Sequence, residues 1–315
     1  MNSYNNHIHV SLSGLFSLFL GSALSGIVVG ALAYFISNFF YLLFIFALFT
    51  GCAGLIIYDK LLRFSKVHHT LITTLVGFVM GIWIAFAYFG IPYLVARNDF
   101  IKSVQDEYQV TAQVASDGLN SILMEETGSS GLLGFMKLRA REGEEFTHYM
   151  LANSLPVFEF SFTMKSVSAW IYWIIEALLF SLPIAIFGWD AGRRPFNLKA
   201  KDWYDSFQNQ IGSVPLIERD ALLSLLHKNE LDAISELILP EDSLKHPTVE
   251  IYEQHSNNLK GDFLLTVKQT NNDHKPRIRR KVVGRWEINP QDYLRFSELV
   301  KQKFEKLGNP QEKYL

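Results

Sequence analysis

The chain has 315 residues, 49% of them apolar and 19% charged, with a formal net charge of −2. That length holds about two ordinary soluble domains, and the near-neutral balance excludes the basic excess of a nucleic-acid-binding domain. A single cysteine, Cys52, excludes an intramolecular disulfide.

Charge is unevenly placed along the chain. Four apolar windows, 12–36, 39–58, 70–96 and 166–188, contain one formal charge between them, Glu176. Each is long enough for the roughly 20 helical residues that a hydrocarbon core demands. The sequence therefore predicts an α-helical polytopic membrane protein with four transmembrane helices, arranged 3+1. Lipid leaves no other way to satisfy the backbone polar groups of such segments.

The first window follows ten residues without Lys or Arg, so it lacks the basic flank of a cleaved signal peptide and reads as an uncleaved helix. Gly26 and Gly30 stand four apart within it. Gly77 and Gly81 repeat that spacing in the third window. Small residues four apart share a helix face and let backbones approach closely. Packing among the chain's own helices is the first reading of these pairs, and a homo-oligomer or partner interface the second.

Between the second and third windows lie Lys60, Arg63 and Lys66, and Arg193, Arg194, Lys199 and Lys201 follow the fourth. The positive-inside rule puts both segments in the cytoplasm, and with them the N- and C-termini. The expected location is a cytoplasmic (inner) membrane of bacterial type.

Segment 98–165 has five Lys and Arg against ten Asp and Glu and is expected on the outer side. A weakly amphipathic helix is expected from Asp106 to Met124, ended by the breaker Gly128-Ser129-Ser130-Gly131. These glycines lack the Lys-Ser/Thr that a phosphate loop needs. Lys137, Arg139 and Arg141 follow an apolar patch and suit either a helix lying on lipid headgroups or a loop packed on the spans. Residues 157–164 read as a short strand or an interfacial belt.

The fourth window carries Glu176 among aromatic and aliphatic neighbours. A carboxylate at that depth is costly if ionised and must meet protein or water, or stay protonated. No Lys or Arg occupies another window, so Ser22, Ser25, Thr50 and Tyr88 are the candidate partners. One reading is a proton or cation site; the other is a protonated hydrogen-bonding group between helices.

Residues 189–213 read as a linker and 214–315 as a cytoplasmic α+β domain of order α-α-β-β-β-α. Leucines at helical spacing mark helices near 215–227 and 230–239. Strands are expected at 248–253, 262–270 and 277–288. Asn289 followed by Pro290 starts a final helix. Strict alternation along the third strand would place Arg277, Arg279, Lys281 and Arg285 on one face, with Arg280 intruding on the other. Such a face could take anionic lipid headgroups or an acidic protein partner, or pair internally with Glu250, Glu253 or Asp262.

No zinc spacing, nucleophile elbow, Walker loop, dinucleotide loop or HExxH occurs. The expectation is a protein without metal, cofactor or catalytic residues. Its function reads as an adaptor or scaffold subunit of a membrane complex that presents a cytoplasmic binding module. The alternative is a small transporter or channel subunit that uses Glu176.

Overall fold

The computed structural model describes all residues except 5–9, 39–42, 149–159, 198, 201, 205–207, 241–247, 257–260, 272–278 and 308–315. The chain forms two compact units: Val10–Gly192, and Met1–His9 together with Arg193–Leu315.

The first unit is mostly helical. Four of its helices are long and apolar enough to cross a membrane: α1 (Leu12–Ser37), α2 (Leu43–Ser65), α3 (Thr70–Tyr108) and α6 (Val167–Ala191). Ser11 caps α1 by accepting the Gly14 N–H at 3.0 Å, which satisfies one of the orphan donors of the first turn. Helix α2 runs on past its apolar window through the basic segment, where Arg63 and Asp59 pair at 3.0 Å with i,i+4 spacing. Nothing in Asp59–Ser65 breaks a helix, so the change from apolar to charged residues alters solvent preference and not conformation.

Helix α3 likewise continues beyond residue 96. Its 39 residues span about 58 Å at 1.5 Å each, well beyond the roughly 30 Å of a hydrocarbon core. It ends where Gln109 turns left-handed (φ 52°). Thr111 then caps α4 (Ala112–Thr127), and Gly128, with φ +69°, closes it. The helix expected over Asp106–Met124 is thus the end of one helix and the start of another. Helix α5 (Gly131–Glu142) follows, then β2 (Glu144–His148), which pairs antiparallel with β3 (Phe160–Met164).

In the second unit, β1 (Asn2–Ser3) joins β6 (Asn209–Pro215), β7 (Thr248–Gln254), β8 (Phe263–Asn271) and β9 (Arg279–Ile288). They form one antiparallel sheet in the order β1-β9-β8-β7-β6. A small hairpin, β4 (Phe196–Asn197) with β5 (Asp202–Trp203), precedes β6. Helices α7 (Arg219–Lys228), α8 (Leu231–Leu237) and α9 (Pro290–Lys306) cover one face. The core on that face holds Leu222, Leu226, Ile234, Val249, Ile251, Leu265, Val267, Trp286, Ile288 and Phe296, all buried. Asn289 caps α9, accepting the Asp292 N–H at 2.8 Å, with Pro290 at the first helical position.

Two features depart from the expected order α-α-β-β-β-α. Segment 189–213, read as a linker, contains β4, β5 and most of β6. The sheet has five strands rather than three, because chain segments at either end complete its edges. The sequence of β6, with Asn, Gln, Gly, Ser and Pro, has little strand propensity of its own. Its pairing with β7 supplies what the residues do not.

The first residues are fastened by more than the ladder. The Tyr4 N–H donates to the Arg285 carbonyl at 2.9 Å, and the Tyr4 hydroxyl accepts the Phe196 N–H at 2.8 Å. Tyr204 packs edge-on against Tyr4 and donates to Glu287 at 3.1 Å. Burial first, then the Glu287 carboxylate, raises the Tyr204 phenol above its ordinary value. Tyr4→Phe removes the acceptor of the Phe196 amide and should cost about 1 kcal/mol. A thermal melt of the purified full-length chain reads this, and an unchanged midpoint would refute the strap.

Candidate functional site

The four glycines singled out in the sequence lie at helix crossings within the chain. A Cβ on Gly26 would stand 2.8 Å from the Met80 carbonyl oxygen, and one on Gly30 2.3 Å from that of Ile84, both on α3. On α3 itself, a Cβ at Gly77 would lie 2.9 Å from the Ile184 carbonyl oxygen, and at Gly81 2.2 Å from the Ser181 Cα, both on α6. These faces are filled by the chain's own helices and offer no room for a second copy.

Glu176 is 1% exposed and buried in the bundle. Tyr172, one turn earlier on the same helix, sets its hydroxyl beside the carboxylate. Thr50, one of the expected partners, donates instead to the Phe46 carbonyl of its own helix at 3.0 Å. The N-terminal part of α6 is aromatic: Trp173 contacts Trp170 and Phe89, and Tyr172 contacts Phe44. Helix α5 brings a cation here that the apolar windows lack. The Arg139 guanidinium lies 6.0 Å from the Trp173 ring centre and 5.8 Å from that of Phe135. Its neighbours on α5 turn the other way, Lys137 to Ser129 at 2.6 Å and Arg141 to Glu126 at 2.8 Å. The basic residues of α5 thus bind protein groups of α4, the turn after it and α6.

The basic strand face divides. Opposite Val267 of β8 stands Gly284, but opposite Lys268 stands Val282, so β9 carries one extra residue, Val283. A bulge of this kind reverses which face each side chain takes. Arg285 and Arg280 consequently share the face of Thr266, Lys268 and Thr270, opposite the core. Lys281, across from Gln269, falls on the face of Val249. Arg277 lies outside the described residues, and of Arg279 only the backbone is described. Arg280 is therefore no intruder on an apolar face, and the expected row of four cations is not formed by Lys281 and Arg285. Gly284 was the available signal, since a glycine inside a strand pattern often marks a bulge.

On that second face the charges make a network. Arg280 Nε donates to Glu250 at 2.8 Å, and the Tyr252 hydroxyl donates to the same oxygen at 2.5 Å. Lys268 sits 4.2 Å over the Tyr252 ring and donates to Gln208. Burial holds the Lys268 amine below its ordinary value; Arg280 and Arg285 lower it further, and Glu250 opposes them. The unfolded chain then binds this proton more readily than the folded one. The contribution of Lys268 to stability therefore rises with pH between its lowered folded value and the ordinary 10.5. Lys268→Met should remove that rise, which melts of both proteins from about pH 9 to 10.5 would reveal. Parallel curves would refute it.

A groove that the sequence did not suggest lies between β6 and α9. Its volume is about 450 Å³. Ile211, Tyr293, Val300 and Phe304 give it an apolar floor, and Glu253 stands in its wall. Asn209 donates to Glu253 Oε1 at 3.0 Å, while Oε2 is buried and accepts no hydrogen bond from a described residue. Strand β6 is the end strand of the sheet. Leu239 bridges its outer side at Ser213, and among the described residues no strand pairs outside Asn209–Ile211. Among the described residues no cluster of three or more metal-binding side chains occurs.

No protein family, curated protein or solved structure matches the chain.

Proposed function

We propose that the chain is a non-enzymatic integral membrane protein that presents its C-terminal α+β unit in the cytoplasm as a binding module, an adaptor or scaffold subunit of a membrane complex. One observation carries this reading: the unit has its own apolar core and, at the margin of that core, an open groove between β6, the end strand of the sheet, and α9. A tail that served only to end the chain would need neither. The four apolar helices and their basic flanks support insertion with both ends on the cytoplasmic side. The strand formed by the first residues supports it too, since it belongs to the same sheet as the last strands.

Full-length protein in nanodiscs of neutral and of anionic lipid tests the module. Retention of a defined protein partner, alike in both lipids, is the expected result. Binding that needs anionic lipid would move the reading to lipid sensing.

A second reading, a small transporter or channel subunit, has the burial of Glu176 in its favour. In proteoliposomes, an ion or proton flux abolished by Glu176→Gln would establish it in place of the first.

A further inference from the structure

We infer that the sheet face opposite the core binds a phosphate group, free or on a lipid headgroup, between Lys268, Arg280 and Arg285. The inference needs no protein partner, so its failure would leave the binding-module reading standing.

The extra residue in β9 is what gathers the three cations. Arg280 and Arg285 are five apart in sequence, and regular alternation would send them to opposite faces. With the bulge, Arg280 stands across from Thr270 and Arg285 across from Thr266, and Lys268 occupies the row between them. Bulges commonly re-aim a side chain beside a functional site.

The middle of this cluster is open to solvent. Val282 lies directly opposite Lys268 on the same face and is 42% exposed. The Arg280 side chain is 48% exposed, and Lys268 and Arg285 are half-buried. A ligand therefore has a path to all three.

The charges do not balance. Among the described residues, two carboxylates stand on this face of β7 and β9, and both are engaged. Glu250 is buried and accepts from Arg280 and Tyr252. Glu287, beyond Arg285, accepts from Tyr204. A positive excess remains, and burial with the two guanidinium groups holds the Lys268 amine below its ordinary value. Like charges gathered at such a cost mark a functional site more often than a structural one. A phosphate dianion offers three acceptor oxygens to these donors, and guanidinium groups match its geometry. A single carboxylate brings less charge and fewer oxygens.

Full-length protein in nanodiscs of neutral lipid is melted across a phosphate titration, with chloride at equal ionic strength as the blank. Phosphate should raise the midpoint saturably, and chloride should not. Lys268→Met and Arg285→Gln, each first shown to fold by its melt without phosphate, should weaken apparent phosphate affinity about tenfold or more. Lys281→Gln, whose side chain lies on the other face, should leave that affinity unchanged. Bound phosphate favours the protonated amine, so the rise in stability that Lys268 contributes at alkaline pH should shrink at saturation. Discs of phosphatidate, compared with discs of phosphatidylglycerol, separate the two sources. Weaker apparent affinity for soluble phosphate in phosphatidate assigns the lipid headgroup, and equal affinity assigns free phosphate. An equal rise with chloride, unchanged phosphate affinity in Lys268→Met and Arg285→Gln, or an equal loss in Lys281→Gln would each overturn the inference.

Discussion

Alanine at Gly81 should lower the melting temperature of the purified protein, and valine there should prevent recovery of a monodisperse chain. A Cβ at this position would sit 2.2 Å from the Cα and 2.5 Å from the hydroxyl of Ser181. The obstacle is backbone, which no rotamer change removes, so α3 and α6 must separate. Overpacking of a tight contact costs about 1–3 kcal/mol for small insertions, and more when backbone has to move. Gly90, on the same helix, is the internal control, because a Cβ there meets nothing within 4 Å. Alanine at Gly90 should instead gain about 0.5–1 kcal/mol from helix propensity alone. Size-exclusion melts of the two alanine variants against the parent decide the matter. Coincident curves would mean that the α3–α6 crossing is not held by this contact.

The second large effect concerns Glu250. Its carboxylate is 4% exposed, and the Arg280 side chain that pairs with it is 48% exposed. Breaking a buried ion pair from one side costs about 3–5 kcal/mol, because the remaining charge stays buried without its partner. Half of this pair is solvated, so Arg280→Leu should cost about 2–3 kcal/mol. The double variant Glu250→Leu/Arg280→Leu removes both charges and should recover much of that loss. Tyr252 loses its acceptor in the double variant, which keeps the recovery incomplete. Equilibrium unfolding of the parent, both singles and the double measures the coupling. If the double is as unstable as the sum of the singles, the pair contributes nothing specific.

Much of the architecture could be read from residue order, for identifiable reasons. The four apolar helices announce themselves because a run of about twenty residues with at most one charge has few alternatives. Strands β7 and β8 and helix α9 fall where alternation, helical spacing and the Asn289-Pro290 start put them. What escaped depends on partners distant in sequence. β1 and β6 carry weak strand signals and exist as strands because β9 and β7 offer them an edge. The basic face was misjudged through one inserted residue, Val283, which exchanges the two faces of the strand from that point. Glu176 was visible as an oddity, but the aromatic end of its helix was not seen to meet a cation, since the Arg139 guanidinium over Trp173 comes from a short helix outside the apolar windows. The groove could not be anticipated at all, because one of its walls is β6.

The pairing of Asn2 with Glu287 and of Ser3 with Trp286 has a consequence for biosynthesis. These contacts join residues far apart in sequence, and loop closure over such a distance is slow to be repaid. Strand β1 must therefore wait for its partner until β9 has been synthesised. A bulky group attached beside β1 would burden that late pairing and leave the pairing of β7 with β8 untouched.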